Sequence, residues 1–329
     1  MFAGRFPQRR TVEIVDVPDA TLSIDGTGEI LFRPELVCLC GSDLPFFDGD
    51  FEGHEIAYPL PVGKSLHEMI GTVVETNGDK FSQGQRVLAV PHEQLGFFEQ
   101  FVLSEDRAIP LDERVHDDEA LLAQPFGTVI YALRKLPNMV GKSAVVVGQG
   151  PIGQMFNSGL NCMGAKHIVG VDLLESRLEV SKVMGATATV CNATSDPVAA
   201  TREIVGGEPD LVIEAVGHRE QAFNLCVQLS GRGGHMLYFG VPPDTSDGIN
   251  LKAALHKNLT ILTSVHPDFE MDFPLAMQWI AERRVDLTPL LTHRFDLNNI
   301  QQAFDTFRDR KDGAQKVLVE FPAYSKVVQ

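Results

Sequence analysis

Residues 143–172, SAVVVGQGPIGQMFNSGLNCMGAKHIVGVD, read in order as a strand, a tight turn, a helix and a second strand. SAVVV is a short apolar run without alternation, which predicts a strand covered on both faces. Gly148-Gln149-Gly150-Pro151-Ile152-Gly153 follows at once and opens an amphipathic stretch closed by Gly164. Each glycine in that hexapeptide has a physical task. Gly148 permits the tight turn, Gly150 puts no Cβ in the way of a pyrophosphate, and Gly153 lets helix and strand pack closely. Pro151 suits the first helical position, where its missing donor would go unused. The turn from Gln149 through Ile152 thus offers backbone N–H groups and the positive end of a helix dipole to phosphates. Alone, such a hexapeptide is weak evidence; between a buried strand and a helix it is strong.

The second strand, HIVGVD, closes on Asp172, roughly 20 residues after the glycines, where dinucleotide-binding folds carry an acid. A carboxylate there accepts both adenosine-ribose hydroxyls of NAD and repels the 2′-phosphate of NADP. The expected cofactor is therefore NAD, with Arg177 flanking the adenine. The competing reading, that Asp172 merely caps the helix after it, leaves the turn without its ribose partner.

Outward from this unit the strand–helix alternation continues through DLVIEAVG, REQAFNLCVQLS, HMLYFG and NLTILTSV, as a parallel sheet requires. Toward the N-terminus the texture changes. TVEIVDV, EILFRPELVC, MIGTVVE, QRVLAV and FFEQFVL are short strands punctuated by turns such as Asn77-Gly78, a β-rich pattern. The last stretch has two helical segments and ends in the strand KVLVEF. With 329 residues, two domains are expected. Their predicted limits are 1–125 completed by 267–329 for the β-rich domain, and 126–266 for the dinucleotide-binding domain.

A net charge of −16 without long basic runs argues against nucleic acid and anionic membranes as partners. No apolar run is long enough to span a bilayer, the opening residues lack a signal-peptide core, and the five cysteines are scattered. A cytoplasmic enzyme with reduced thiols is the expectation. Cys38, Cys162, Cys191 and Cys226 are expected in the core.

A second concentration of chemistry is Cys40-Gly41-Ser42-Asp43 with His67-Glu68. Thiolate, imidazole and carboxylate are the usual zinc donors, and a catalytic site uses three with one position open. Gly53-His54-Glu55 imitates the second pair, but only His67-Glu68 is followed by the strand-like Met-Ile-Gly-Thr-Val.

CLCGSDL, YPLPVGKSLHEMIGTVVE, LGFFEQFVL, GKSAVVVGQGPIGQM and YFGVPPD together resemble the medium-chain, zinc-dependent alcohol and polyol dehydrogenases over essentially the whole chain. The resemblance implies an α/β fold, a doubly wound Rossmann sheet plus a β-rich GroES-like catalytic domain. It implies Cys40 and His67 as zinc ligands, with Glu68 a ligand or near neighbour. Asp43 would orient His67, and Ser42 would stand beside the substrate oxygen and relay its proton. Ala215, Val216 and Gly217, with Phe239, Gly240 and Val241, would flank the nicotinamide. The implied reaction is hydride transfer between a small alcohol or carbonyl substrate and NAD, in a homodimer or homotetramer.

Three departures from the family pattern stand out. Gln124 occupies a position where the family often has an acidic or thiol ligand, and a neutral amide is a poor one. The cysteine-rich lobe for a structural zinc is missing, so one catalytic zinc and no structural zinc are expected. Pro45 stands where some members carry a relay histidine. Two other readings compete: a zinc-free enone or quinone reductase on the same scaffold, and a non-catalytic NAD-binding protein with a decayed metal site.

Overall fold

The computed structural model describes residues 1–23, 26–51, 54–217, 220–242 and 244–323. It divides into two units. The first comprises Met1–Gln124, Phe269–Ala281 and Leu291–Gln329, the second Pro125–Asp268 and Glu282–Leu290. The segment Glu282–Leu290 thus goes with the second unit, although its position in the sequence groups it with the C-terminal part of the first.

In the first unit a seven-stranded sheet runs Leu291–Asp296, Lys316–Glu320, Glu29–Cys38, Glu68–Thr76, Arg86–Ala89 and Ala108–Pro110, with Phe101–Ser104 also paired to Glu29–Cys38. Only Leu291–Asp296 and Lys316–Glu320 are parallel; the other pairs are antiparallel. Phe2–Gln8 pairs with Thr11–Asp16 in a separate two-stranded sheet. The core is dense in phenylalanine. Phe304 stacks on Phe47 with ring centroids 5.1 Å apart and meets Phe6 edge-on at 5.5 Å. Burying one such side chain contributes ~1.5–3 kcal/mol. Phe46, Phe47 and Phe97 are buried there, and so, in the second unit, is Phe126. Across three strands of the sheet, the fully buried Glu35 accepts from Thr72 Oγ1 and from the Arg86 guanidinium, which also clasps Asp117. A buried carboxylate is tolerable only when paired in this way.

The second unit is a six-stranded parallel sheet in the order Ala188–Cys191, His167–Asp172, Ser143–Val147, Leu211–Glu214, His235–Tyr238 and Thr260–Thr263. Every residue of Ser143–Val147 is buried, as expected of a central strand. The chain leaves that strand in one direction and later returns to its other side, which creates the crevice where such sheets bind ligands. Register brings Val147 opposite both Val171 and Glu214, and Glu214 opposite Tyr238. The carboxyl ends of four strands therefore share one edge.

Cys38, Cys191 and Cys226 are buried, but Cys162 is exposed at the last position of the helix Pro151–Cys162, where the apolar stripe has already turned past it. No helix among the described residues is long and apolar enough to cross a membrane.

Candidate functional site

In the first unit, the strand Glu29–Cys38 runs out into Leu39 and Cys40, and a 3-10 turn, Gly41–Asp43, reverses the chain. Asp43, fully buried, organises the surroundings. Its Oδ2 accepts from the Cys40 N–H at 2.8 Å. Its Oδ1 accepts from Ser65 Oγ at 2.8 Å and from the Leu66 N–H at 2.9 Å. Ser65 and Leu66 hold φ of 89° and 63°, a left-handed geometry that costs a side-chain-bearing residue ~1–3 kcal/mol. The two bonds to Asp43 hold that strained pair, and the next residue is His67. Asp43 thereby fixes both arms of the site, and its own pKa reflects this. Burial alone would raise it, but His67 and the hydrogen bonds from Cys40 and Ser65 hold it below the ordinary carboxylate value.

The donor atoms of Cys40, His67 and Glu68 lie within 4.8 Å of one another. His67 Nδ1 stands 3.6 Å from Asp43 Oδ1, within ion-pair range, while Ser42 Oγ lies 3.3 Å from His67 Nε2. Burial would lower the His67 pKa; the charges of Cys40 and Asp43 outweigh it and push it well above the usual value. One sulfur, one imidazole and one carboxylate, with a buried aspartate beside the imidazole, are a donor set that fits a zinc ion. Cys38 does not join them; it is fully buried, and burial pushes its thiol pKa well above the ordinary value. His54 and Glu55 lie apart in a two-residue exposed strand, and Gly53 lies outside the described residues. Gln124 is buried in the helix Ala123–Leu133 and offers no anionic donor.

Sequence reasoning missed Lys316. Its Nζ donates to Glu68 at 2.6 Å from Oε1 and also reaches Oε2, and both side chains are buried. Strand register produces this meeting. Glu68 pairs opposite Cys38 on one side of Glu29–Cys38, while Leu318 pairs with Cys38 and Leu39 N–H donates to Val317 O on the other. The only local hint was a charge heading an otherwise apolar strand.

In the second unit the turn behaves as its glycines require. Gly148 has φ of 94°, and a Cβ there would lie 2.9 Å from the Ala215 carbonyl. A Cβ on Gly153 would stand 1.8 Å from the Gly148 carbonyl oxygen. At Gly150 the nearest atom to such a Cβ is Arg177 Nη1, 3.8 Å away, so this face of the turn is open. Asp172 Oδ2 accepts the Gln149 N–H at 2.7 Å and Oδ1 the Leu174 N–H at 3.0 Å. Arg177 Nη1 stands 3.6 Å from Asp172 Oδ2, so the acid and the base near it are an ion pair.

The Gln149 side chain turns inward rather than toward a ligand. Its Nε2 donates to Val146 O at 2.8 Å, and its Oε1 accepts from Asn157 Nδ2 at 2.7 Å and Ser181 Oγ at 2.8 Å. A Cβ at Gly170 would come within 3.0 Å of this amide, so the glycine in HIVGVD makes room for it. Gln149→Leu preserves bulk but removes one partner each from Val146 O, Asn157 Nδ2 and Ser181 Oγ, at ~1–3 kcal/mol for any group left unsatisfied. Ser181 keeps Arg177 O and Asn157 keeps Gln154 Oε1. A lower melting temperature and about tenfold weaker binding of the dinucleotide are expected. Calorimetry showing unchanged affinity would reduce the network to a purely structural role.

A second omission is Glu214. Fully buried at the end of its strand, it accepts from the Val216 and Gly217 N–H groups at 2.9 Å each and from Gly240 N–H at 3.1 Å. It binds together the turns Ala215–Gly217 and Phe239–Val241, whose side chains Val216 and Val241 are exposed while Phe239 packs edge-on against Phe156 at 5.1 Å. A glutamate closing a buried strand could have been suspected from DLVIEAVG.

A glycine-rich turn between strand and helix on a doubly wound sheet, and a thiol, imidazole and carboxylate gathered in a β-rich unit, are the features of an oxidoreductase that works with a dinucleotide and a metal. Family comparison agrees. Residues 26–109 match the alcohol dehydrogenase GroES-like domain, and residues 151–282 match the zinc-binding dehydrogenase family. L-threonine 3-dehydrogenase of Chromobacterium violaceum is 27% identical, over 94% of this chain and 96% of the relative. Among solved structures, alcohol dehydrogenase TADH from Thermus sp. ATN1 superposes with a TM-score of 0.85 at 23% identity, covering 98% of this chain and all of that one. The 2R,3R-butanediol dehydrogenase of Bacillus subtilis gives 0.81 at 22%, covering 97% and 99%. The chain belongs to the zinc-dependent medium-chain alcohol and polyol dehydrogenases, enzymes that use NAD(P).

Proposed function

We propose that the chain oxidises a secondary alcohol of the polyol or amino-alcohol type to a ketone with NAD, using a single zinc held by Cys40, His67 and Glu68. The observation that carries this reading is the convergence of those three donors around His67, oriented by a buried aspartate. The L-threonine 3-dehydrogenase relatives support the substrate class.

When bound, zinc supplies Lewis acidity that makes a hydroxyl easier to deprotonate, and the nicotinamide supplies a hydride acceptor. The remaining work falls to side chains. Asp43, 3.6 Å from Nδ1, keeps the His67 ring in place. Ser42 Oγ, 3.3 Å from Nε2, is positioned to receive the hydroxyl proton and pass it to water. Pro45 offers no further relay, so the proton leaves through solvent or cofactor hydroxyls. The amides of Gly150 and Ile152 hold the pyrophosphate at the start of Pro151–Cys162. Glu214 sets the turns Ala215–Gly217 and Phe239–Val241 that flank the nicotinamide side.

Asp172 selects NAD. Its carboxylate accepts the ribose hydroxyls, and its ion pair with Arg177 keeps that guanidinium from serving a 2′-phosphate. Asp172→Ser should lower kcat/KM for NAD by about 10- to 100-fold, the equivalent of one or two charge-assisted hydrogen bonds. It should raise the value for NADP as Arg177 is released. Steady-state kinetics with both cofactors, alongside zinc analysis of the purified protein, test the proposal. A higher kcat/KM with NADP for the unmodified protein would overturn the cofactor choice, and a protein active on alcohols without zinc would overturn the metal.

The strand Thr260–Thr263, at the sheet edge and largely exposed, supports pairing with a second copy in a dimer or tetramer. The five scattered, unpaired cysteines favour a cytoplasmic enzyme.

A further inference from the structure

Gln154 sits in the first turn of the helix Pro151–Cys162, just after the glycine-rich turn, and is fully buried. Its Nε2 donates to two main-chain oxygens, Gln149 O at 3.1 Å and Arg177 O at 2.9 Å. These belong to different segments, for Arg177 is the third residue of the helix Glu175–Val183. Gln149 is held on its other side as well, because its N–H donates to Asp172 Oδ2 at 2.7 Å. One residue of the turn thus grips the Asp172 carboxylate through its N–H. Through its oxygen and Gln154 it also grips the main chain that carries Arg177. Ser181 Oγ closes the frame, 2.8 Å from Gln149 Oε1 and 2.9 Å from Arg177 O. Buried polar contacts fix a helix more closely than apolar packing does, since a displaced donor or acceptor is left unpaired.

We propose that Gln154 is a positioning residue for cofactor choice: it sets the spacing of Asp172 and Arg177, and so keeps the guanidinium on the carboxylate rather than on a 2′-phosphate. The inference rests on the reading of Asp172 as the residue that selects NAD. Arg177 Nη1 is 3.6 Å from Asp172 Oδ2 and would be 3.8 Å from a Cβ on Gly150. The guanidinium is therefore close both to the carboxylate and to the open face of the turn. A shift of about 0.5 Å carries it beyond the ~4 Å range of an ion pair. Without the Gln154 amide, Gln149 O and Arg177 O lose their shared donor. The first turn of Glu175–Val183 can then move away from the glycine-rich turn and take Arg177 with it. The pair opens, and the guanidinium turns to an anion carried on the ribose, which its planar fork suits.

The test uses the full chain and compares NAD with NADP by calorimetry and by steady-state kinetics. Gln154→Met keeps length and bulk but removes both donated hydrogen bonds, while Asn157 keeps its bond to Gln149 Oε1. The preference for NAD over NADP should narrow by about tenfold, the scale of one hydrogen bond. The loss should fall on affinity and KM for NAD rather than on kcat, because the adenosine end of the dinucleotide is remote from the reacting carbon. Ser181→Ala removes one bond to Arg177 O and should move the ratio the same way by a smaller factor. Ser181→Thr, which keeps the hydroxyl, should behave as the unmodified protein does. If Gln154→Met is insoluble, the two Ser181 variants decide the matter. Equal weakening of NAD and NADP, or a lower melting temperature with an unchanged ratio, overturns the proposal while leaving the choice of NAD by Asp172 intact. An unmodified protein that prefers NADP, or that binds neither dinucleotide, overturns both.

Discussion

Cys40→Ser is expected to lower kcat/KM for an alcohol substrate by roughly 1,000-fold or more and to strip the purified protein of zinc. The sulfur is one of two donors not already engaged by a buried ammonium, because both oxygens of Glu68 lie against Lys316. Loss of metal assistance removes several kcal/mol of transition-state stabilisation, and each ~1.4 kcal/mol is a factor of ten in rate. The backbone should be undisturbed, for Asp43 grips the Cys40 N–H rather than its side chain. Binding of NAD, measured by calorimetry, should therefore remain near that of the unmodified protein. A variant that kept zinc and turned over normally would remove Cys40 from the site.

Gly153→Ala should damage the other unit almost as severely. A Cβ at this position would stand 1.8 Å from the Gly148 carbonyl oxygen, and the obstacle is backbone, which no rotamer can relieve. The helix Pro151–Cys162 must move away from its strand, spreading the amides that receive the pyrophosphate. Overpacking of this kind costs ~1–3 kcal/mol of stability, or several degrees of melting temperature in a domain of this size. Dinucleotide affinity should fall by about 100-fold or more. Gly150→Ala is the informative contrast. Its Cβ would project into open space on the ligand side, so melting should hardly change while dinucleotide binding still suffers. Equal losses of stability in the two variants would contradict the separate tasks assigned to these glycines.

Much of this was legible in the chain itself. SAVVV announced a strand buried throughout, and the structure buries each of its residues. The spacing from the glycines to Asp172 marked two strands that lie side by side in register. The order of strands and helices implied a parallel sheet, and the alternation near the N-terminus an antiparallel one. These features are local. A turn, a cap or a periodicity is decided by residues a few positions apart, and the physical requirement is written into the residue types.

What the sequence determined, then, is the two kinds of architecture, the glycine-rich turn between strand and helix, and the residues Cys40, His67 and Glu68, whose donor atoms the fold gathers within 4.8 Å. Tertiary structure alone decided that Glu68 meets a lysine 248 positions away. It also decided that Gln149 points into the fold, that Glu214 ties two turns together, and that Phe47 and Phe97 belong to the core. The reason is that burying a charge or an amide demands a partner, but which partner depends on strand register and sheet order. Those are settled by the packing of whole elements against one another, a property that no single stretch of the chain contains.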